Sequence, residues 1–178
     1  MNLGKLTFTP ALESPELLGK PVAEYVERAR LGDGVWVSRI DADLADTAVF
    51  CERYDIGLDI SANCVVVEAK RADRVWYAVC LILATDKADI NGVVRRKIDA
   101  RKISFASMDT AVKLTGMEYG GITPIGLPED WPVLVDERIV EKPHVVVGSG
   151  IRGSKVLVST KVLSSLPNVE VLALAKVG

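Results

Sequence analysis

Thr115-Gly116-Met117-Glu118-Tyr119-Gly120-Gly121-Ile122-Thr123-Pro124-Ile125-Gly126 places four glycines and a proline in twelve residues, directly after a stretch that reads as a capped helix. A turn needs fewer. The adjacent glycines at 120 and 121 let the backbone approach a ligand closely and turn consecutive N–H groups into one cavity. Thr123 adds a hydroxyl, and Pro124 stiffens the exit. Backbone donors of this kind suit a carbonyl oxygen that gains negative charge during acyl transfer. From composition alone, a tight loop joining a helix to a strand explains the same residues equally well.

Working outward, Ser107 caps the preceding helix, Ala111, Val112 and Leu114 fall on its inward face, and Gly116 ends it. Upstream, Cys64–Ala69 and Val75–Ala84 are apolar and rich in β-branched residues, and the polar segment from Lys70 to Arg74 lies between them. This pattern predicts a hairpin with a five-residue loop and strands buried on both faces. A short helix follows over Asp89–Lys97, then an extended piece at Ile103–Phe105. Nearer the N-terminus, Ser14-Pro15 starts a helix that runs, interrupted near Gly19 and Pro21, to about Ala29. Val35–Ile40 reads as a strand, and Asp41 or Asp43 caps a helix carrying Ala45, Ala48, Val49 and Glu52. Val133–Val135, Val145–Val147, Val156–Val158 and Val169–Ala173 are further strands, with Ser159 capping a helix over Thr160–Leu166. Strands and helices mix without regular βαβ alternation. The expected fold is therefore α+β, a curved, mixed, barrel-like sheet surrounded by short helices. Residues 1–34 are expected to form a helical extension packed on a domain spanning 35–178. No GxGxxG follows a strand and no GxxxxGK[ST] occurs, so nucleotide and dinucleotide loops are not indicated.

Composition narrows the function classes. Of 178 residues, 49% are hydrophobic and 26% charged, as in ordinary globular proteins. The longest apolar run, Val75–Ala84, is well short of the roughly 18 residues of a membrane span. The first ten residues lack the pattern of a secretory signal, so the expected location is cytoplasmic. Cys51, Cys64 and Cys80 are widely spaced, and His144 is the only histidine, which argues against disulfides, a metal centre and histidine-based nucleophilic machinery. His144 reads as a strand-edge residue. Net charge is −2, but residues 1–60 hold 6 basic and 11 acidic side chains, whereas 61–178 hold 16 and 13. The basic run Arg95, Arg96, Lys97, Arg101 and Lys102 reads either as a solvated helix face or as a phosphate-contacting edge.

Three blocks together are recognisable. The Thr-Gly pair ending a helix, followed by Gly-Gly-Ile-Thr-Pro-Ile-Gly, resembles the core motif of the YbaK family, which includes the editing domain of bacterial prolyl-tRNA synthetases. Val146-Val147-Gly148-Ser149-Gly150-Ile151-Arg152-Gly153-Ser154 resembles that family's strand and Arg-Gly loop. The strand Asn63–Glu68, after a helix near Asp46–Tyr54, is the third block. The resemblance covers roughly residues 35–175. It implies hydrolysis of the ester that joins a wrong amino acid to the terminal adenosine of a tRNA, without metal or other cofactor. A ribose hydroxyl helps to activate water, and Gly120 holds the substrate carbonyl. Gly121 and Asn63 fall among the implied catalytic positions. Thr115, Ile122, Thr123, Pro124, Gly148, Gly150 and Arg152 are the implied substrate contacts. The acceptor end of tRNA is the implied partner, and a synthetase or elongation factor is the candidate that delivers it.

One residue departs from the family pattern. Where the family has a functional lysine, this chain has Asn63, which can hydrogen-bond but brings no cation. Two readings follow: an active deacylase, or a module that binds aminoacyl-tRNA or a small acylated ligand with impaired catalysis. A third takes the glycines as loop architecture in an unrelated α+β protein. Asp136 reads either as a polar group at the pocket mouth or as the cap of a helix from Glu137. Arg152 is either a phosphate contact or a surface arginine. Trp76 and Tyr77 read as core. Trp131 is expected to anchor a loop, with stacking on the terminal adenine as the alternative.

Overall fold

The computed structural model describes residues 1–176, so the last two residues of the expected 35–178 domain lie outside the described residues. The chain opens with three short strands, β1 (Asn2–Leu3), β2 (Leu6–Thr7) and β3 (Thr9–Pro10). Two 3-10 turns follow, then helix α1 (Lys20–Arg28), whose start is held off by the extended backbone of Gly19. Strand β4 (Val35–Arg39) leads to a 3-10 turn in which Asp41 accepts a hydrogen bond from the Asp43 amide. Helix α2 (Thr47–Tyr54) follows. Residues 1–34 thus carry strands as well as helix.

The central hairpin pairs β5 (Ala62–Arg71) with β6 (Arg74–Leu83). Its ladder extends through Arg71↔Arg74, leaving a two-residue turn in place of the expected five-residue loop. Ala72 takes a positive φ of 52° to close it. A π-type turn at Ile90–Val94, capped by Asp89, runs into the single helical turn α3 (Arg95–Lys97). Then come β7 (Lys102–Phe105) and α4 (Met108–Thr115), the latter capped by Ser107 and ended by Gly116 at φ 69°. The C-terminal part contributes β8 (Val133–Asp136), β9 (His144–Gly148), β10 (Ser154–Ser159), α5 (Thr160–Ser165) and β11 (Val169–Leu172).

Two sheets form the body: an antiparallel sheet in the order β3-β4-β10-β9, and a mixed sheet in the order β11-β8-β6-β5-β7. They meet without closing, joined near their shared edge by a bridge between Ser61 and Val146, so the expected barrel-like sheet is two abutting sheets. The main core lies between them, built from Val79, Leu81, Val133, Val135, Val147, Val156 and Val158. Further apolar clusters cover the opposite faces, around Phe8, Phe50 and Leu157 on one sheet and Val67, Cys80 and Leu134 on the other. Alternation along each strand serves both layers, which is why these segments read as continuous apolar runs.

Some expectations on side-chain placement change. In α4, Ala111 and Thr115 face the core, whereas Val112 and Leu114 are exposed, so that helix's buried face is rotated from the expected one. No helix forms from Glu137; the chain turns there. Asp136 is buried and its Oδ1 accepts hydrogen bonds from the amides of Leu174 (2.8 Å) and Ala175 (3.2 Å), with Oδ2 accepting from Arg138 N (3.3 Å). It ties down the chain beyond β11. Replacing Asp136 with alanine strands these amides, and urea denaturation is expected to show a loss of about 1–3 kcal/mol.

Candidate functional site

The twelve-residue glycine-rich segment folds as a loop from the end of α4 and is zipped to the loop between β9 and β10. Glu118 N–H donates to the Gly150 carbonyl (2.9 Å), and Gly150 N–H donates to the Gly121 carbonyl (2.7 Å). Side-chain-free backbone is required at the seam. A Cβ on Gly121 would meet backbone atoms of Ile151 at 2.7 Å, and one on Gly148 would meet the Gly121 carbonyl oxygen at 2.5 Å. Thr115 supports the loop from below, donating to the Ala111 carbonyl (2.7 Å) and accepting from Met117 N–H (3.2 Å).

Beside this seam lies a cavity of about 420 Å³, within the size range of small-molecule sites. Its walls come from the start of α2 (Asp46, Thr47), the start of β5 (Ala62–Val66), the glycine-rich loop (Tyr119, Gly120, Ile122), Gly148 and Lys155. Phe105 and Tyr119, both largely exposed, stand at its rim. Of the residues singled out in the sequence, Asn63, Gly120, Ile122 and Gly148 converge here. Gly121 lies behind the wall: its N–H donates to the Glu118 carbonyl (2.9 Å), so the expected pair of consecutive donors is not available. Tyr119, Gly120 and Ile122 are loop residues lining the cavity, and their N–H groups have no acceptor among the described residues.

The remaining candidates take other places. Thr123 is fully buried and its hydroxyl lacks a partner among the described residues, while Pro124 lines a separate groove with Tyr25 and Trp131. Gly150 packs against Gly19 outside the cavity. Thr115 and Asp136 serve the fold as described. Arg152 is tied to other parts of the chain. Its Nε donates to the Ala42 carbonyl (3.1 Å) and its Nη1 to the Tyr119 carbonyl (3.2 Å), while Nη1 stands 3.5 Å from the Asp46 carboxylate. It clamps the glycine-rich loop to the turn before α2. Trp131 is buried and stacks on Tyr77 with ring centroids 5.6 Å apart, as a loop anchor. Trp76 and Tyr77 are half-buried, and Arg74 sits over the Trp76 ring. His144 is half-buried against Trp36.

Asn63 is held in place, its Oδ1 accepting from the Thr47 hydroxyl at 2.6 Å. Neighbouring Cys64 also lines the cavity, but burial, reinforced by Cys80, holds its thiol well above the usual range, so it stays protonated and unreactive. Among the described residues no histidine, cysteine and acidic side chains gather as a metal-ligand set, and no helix is long and apolar enough to cross a membrane. Sequence reasoning missed Lys155. It sits in β10 opposite Ser38 and Gly148, is only 6% exposed, and forms part of the cavity wall. The signal was there: a lysine directly before the apolar run Val156–Val158.

The seam makes a sharp contrast between glycines of the two loops it joins. Gly121→Ala must displace backbone and is expected to cost about 3 kcal/mol or more in urea denaturation. Gly153→Ala meets nothing within 4 Å and is expected to be neutral or stabilising by up to about 1 kcal/mol.

Solved structures share this architecture. A proposed trans-editing enzyme for prolyl tRNA synthetase superposes with a TM-score of 0.76 at 18% identity, over 89% of this chain and 97% of that one. The hypothetical protein APE2540 gives 0.77 at 16% identity, over 88% and 100%. A proposed signal transduction protein from Marinobacter aquaeolei VT8 matches at 0.52 and 14% identity, with 93% of this chain aligned to 31% of that one. At such identities the likeness is one of fold. Residues 41–166, more than two thirds of the chain, match the aminoacyl-tRNA editing domain, and the chain belongs to that family.

Proposed function

We propose that this protein hydrolyses the ester of mischarged aminoacyl-tRNA, acting in trans and without a metal. The observation that carries the reading is the cavity lined by Gly120 and Ile122, whose N–H groups have no acceptor among the described residues, set in a chain of the editing-domain family. In the reaction, water attacks the ester carbon and the carbonyl oxygen becomes an oxyanion. Collapse then expels the ribose oxygen, which takes a proton, leaving free amino acid and tRNA. Gly120 N–H is the donor assigned to the carbonyl oxygen, where a fixed dipole counts most as charge develops. Discrimination between aminoacyl groups would follow from how each side chain fits the walls formed by β5 and the loop.

Outside the cavity, two features suit the acceptor end of a tRNA. Phe105 and Tyr119 offer exposed rings at the rim, where the terminal adenine can stack. Phe105 ends the strand that Lys102 begins, and Lys102 lines a groove with Lys70, Arg95 and Arg101. Arg95, Arg101 and Lys102 of the basic run thus line a groove that also holds the Lys70–Glu68 pair, whereas Lys97 pairs with Glu170, and we assign the groove's cations to the phosphate backbone. Residues 1–34 are read as an extension built onto the 35–178 editing domain, since the family match begins at residue 41. The compartment is read as cytoplasmic, where charged tRNA is used, with a synthetase or elongation factor as the delivering partner.

Incubation with a panel of mischarged tRNAs tests the reading directly. Ester loss above the uncatalysed rate is expected for at least one amino acid; failure across the panel refutes it. Binding without turnover would instead favour the impaired-module reading, which rests on Asn63. Gly120 has φ 89°, and a methyl there would meet the Arg152 guanidinium, which must give up its contact with the Tyr119 carbonyl. Gly120→Ala is therefore expected to reduce kcat/KM by about 100-fold and to cost about 2 kcal/mol of stability. Phe105→Ala is expected to raise KM roughly tenfold or more, in line with a lost stacking contact, with kcat little changed.

A further inference from the structure

The cavity contains a charge that the fold does not neutralise. Lys155 sits on β10 in register with Gly148 of the neighbouring strand, and both line the cavity. Its ammonium has no ion pair and no hydrogen bond among the described residues. Its recorded contact is the Phe50 ring, 5.1 Å from Nζ to the centroid. The nearest acid on the cavity wall, Asp46, is directed to Arg152 at 3.5 Å, and its side chain is 75% exposed. A buried ammonium without a counter-ion is costly in any folded protein. Here it stands in a wall shared with unpartnered N–H groups and the Asn63 carboxamide. Every unmatched group in that wall calls for oxygen carrying negative charge.

We propose that Lys155 is a catalytic residue, the cationic contact for the ester oxygen that becomes an oxyanion as water attacks. The inference rests on the deacylase reading and supplies the cation that Asn63 does not. The tRNA phosphates have their own basic edge at Lys70, Arg95, Arg101 and Lys102, outside this cavity. The part of the substrate that reaches Lys155 is the acyl end. Burial pushes the Lys155 ammonium down to about 8; Cys51 and Asp46 counter this and Arg152 adds to it. These are the titratable groups facing it from α2, from the residue before α2 and from the β9–β10 loop. The cation is therefore present at neutral pH and is lost as pH rises through about 8.

Lys155→Met keeps the aliphatic stem and removes the charge. With a substrate that the unmodified protein accepts, kcat is expected to fall about 100-fold at nearly constant KM. The thermal midpoint should hold or rise, because an uncompensated buried charge has gone. After subtraction of uncatalysed hydrolysis, the unmodified protein's kcat should decline through about pH 8, and the variant should lack that limb. Unchanged kcat overturns the proposal. So does a raised KM at unchanged kcat, which would place Lys155 on a ground-state phosphate, and so does a fall in thermal midpoint that parallels the loss of activity. If the unmodified protein hydrolyses no aminoacyl-tRNA, the deacylase reading fails separately, and inorganic phosphate titrated by NMR decides the anion site. A shift of the Lys155 side-chain signals supports a cationic pocket, and no shift overturns it.

Discussion

Two backbone segments in this protein touch where side chains would normally keep them apart. Gly148 lies against the Gly121 carbonyl, Gly121 against Ile151, and Gly150 against Gly19, and the Gly150 N–H closes the seam on the Gly121 carbonyl. Everything at the site follows from that approach. It draws the glycine-rich loop onto the edge of the antiparallel sheet, and Arg152 then locks the loop to the turn before α2. The cavity is the space left beside the seam, where β5 begins and the two sheets meet.

The rest of the core explains why this cavity can hold its shape. Apolar layers on both faces of each sheet anchor β5, β6, β9 and β10 independently of any ligand. A site set on such strands keeps its donors oriented before substrate arrives, which is what electrostatic stabilisation of a developing charge requires. The same rigidity carries a cost at Lys155, whose charge remains buried among apolar neighbours. A fold selected for stability alone would place an apolar side chain there.

Asn63 and Lys155 show how one chemical need can move between strands. The two residues start from different sheets, β5 and β10, and share one cavity. Asn63 is restrained by Thr47 and offers a neutral amide, while Lys155 brings a buried charge to the same cavity. Residue 63 taken alone suggests a lost function. On the proposal above, Lys155 supplies the cation from another strand.

The α+β class, the strands from β4 onward in their order, the caps at Ser107 and Ser159, and the glycine-rich loop with Gly120 in it were legible in the sequence; the three short strands β1 to β3 were not. Those features are local: hydrophobic period, capping chemistry and glycine content are written within a few residues of one another. Only the tertiary structure decided that the sheets abut without closing, that Gly121 is spent on the seam, and that Arg152 and Asp136 hold backbone. It also decided that Lys155 faces the cavity. Such assignments depend on contacts between segments far apart in the chain, as between Arg152 and Ala42 or Asp136 and Leu174. No local pattern encodes which donor finds which acceptor across that distance. A lysine directly before an apolar run marks a position that something must explain, and the explanation comes from the wall it shares with Gly120 and Asn63.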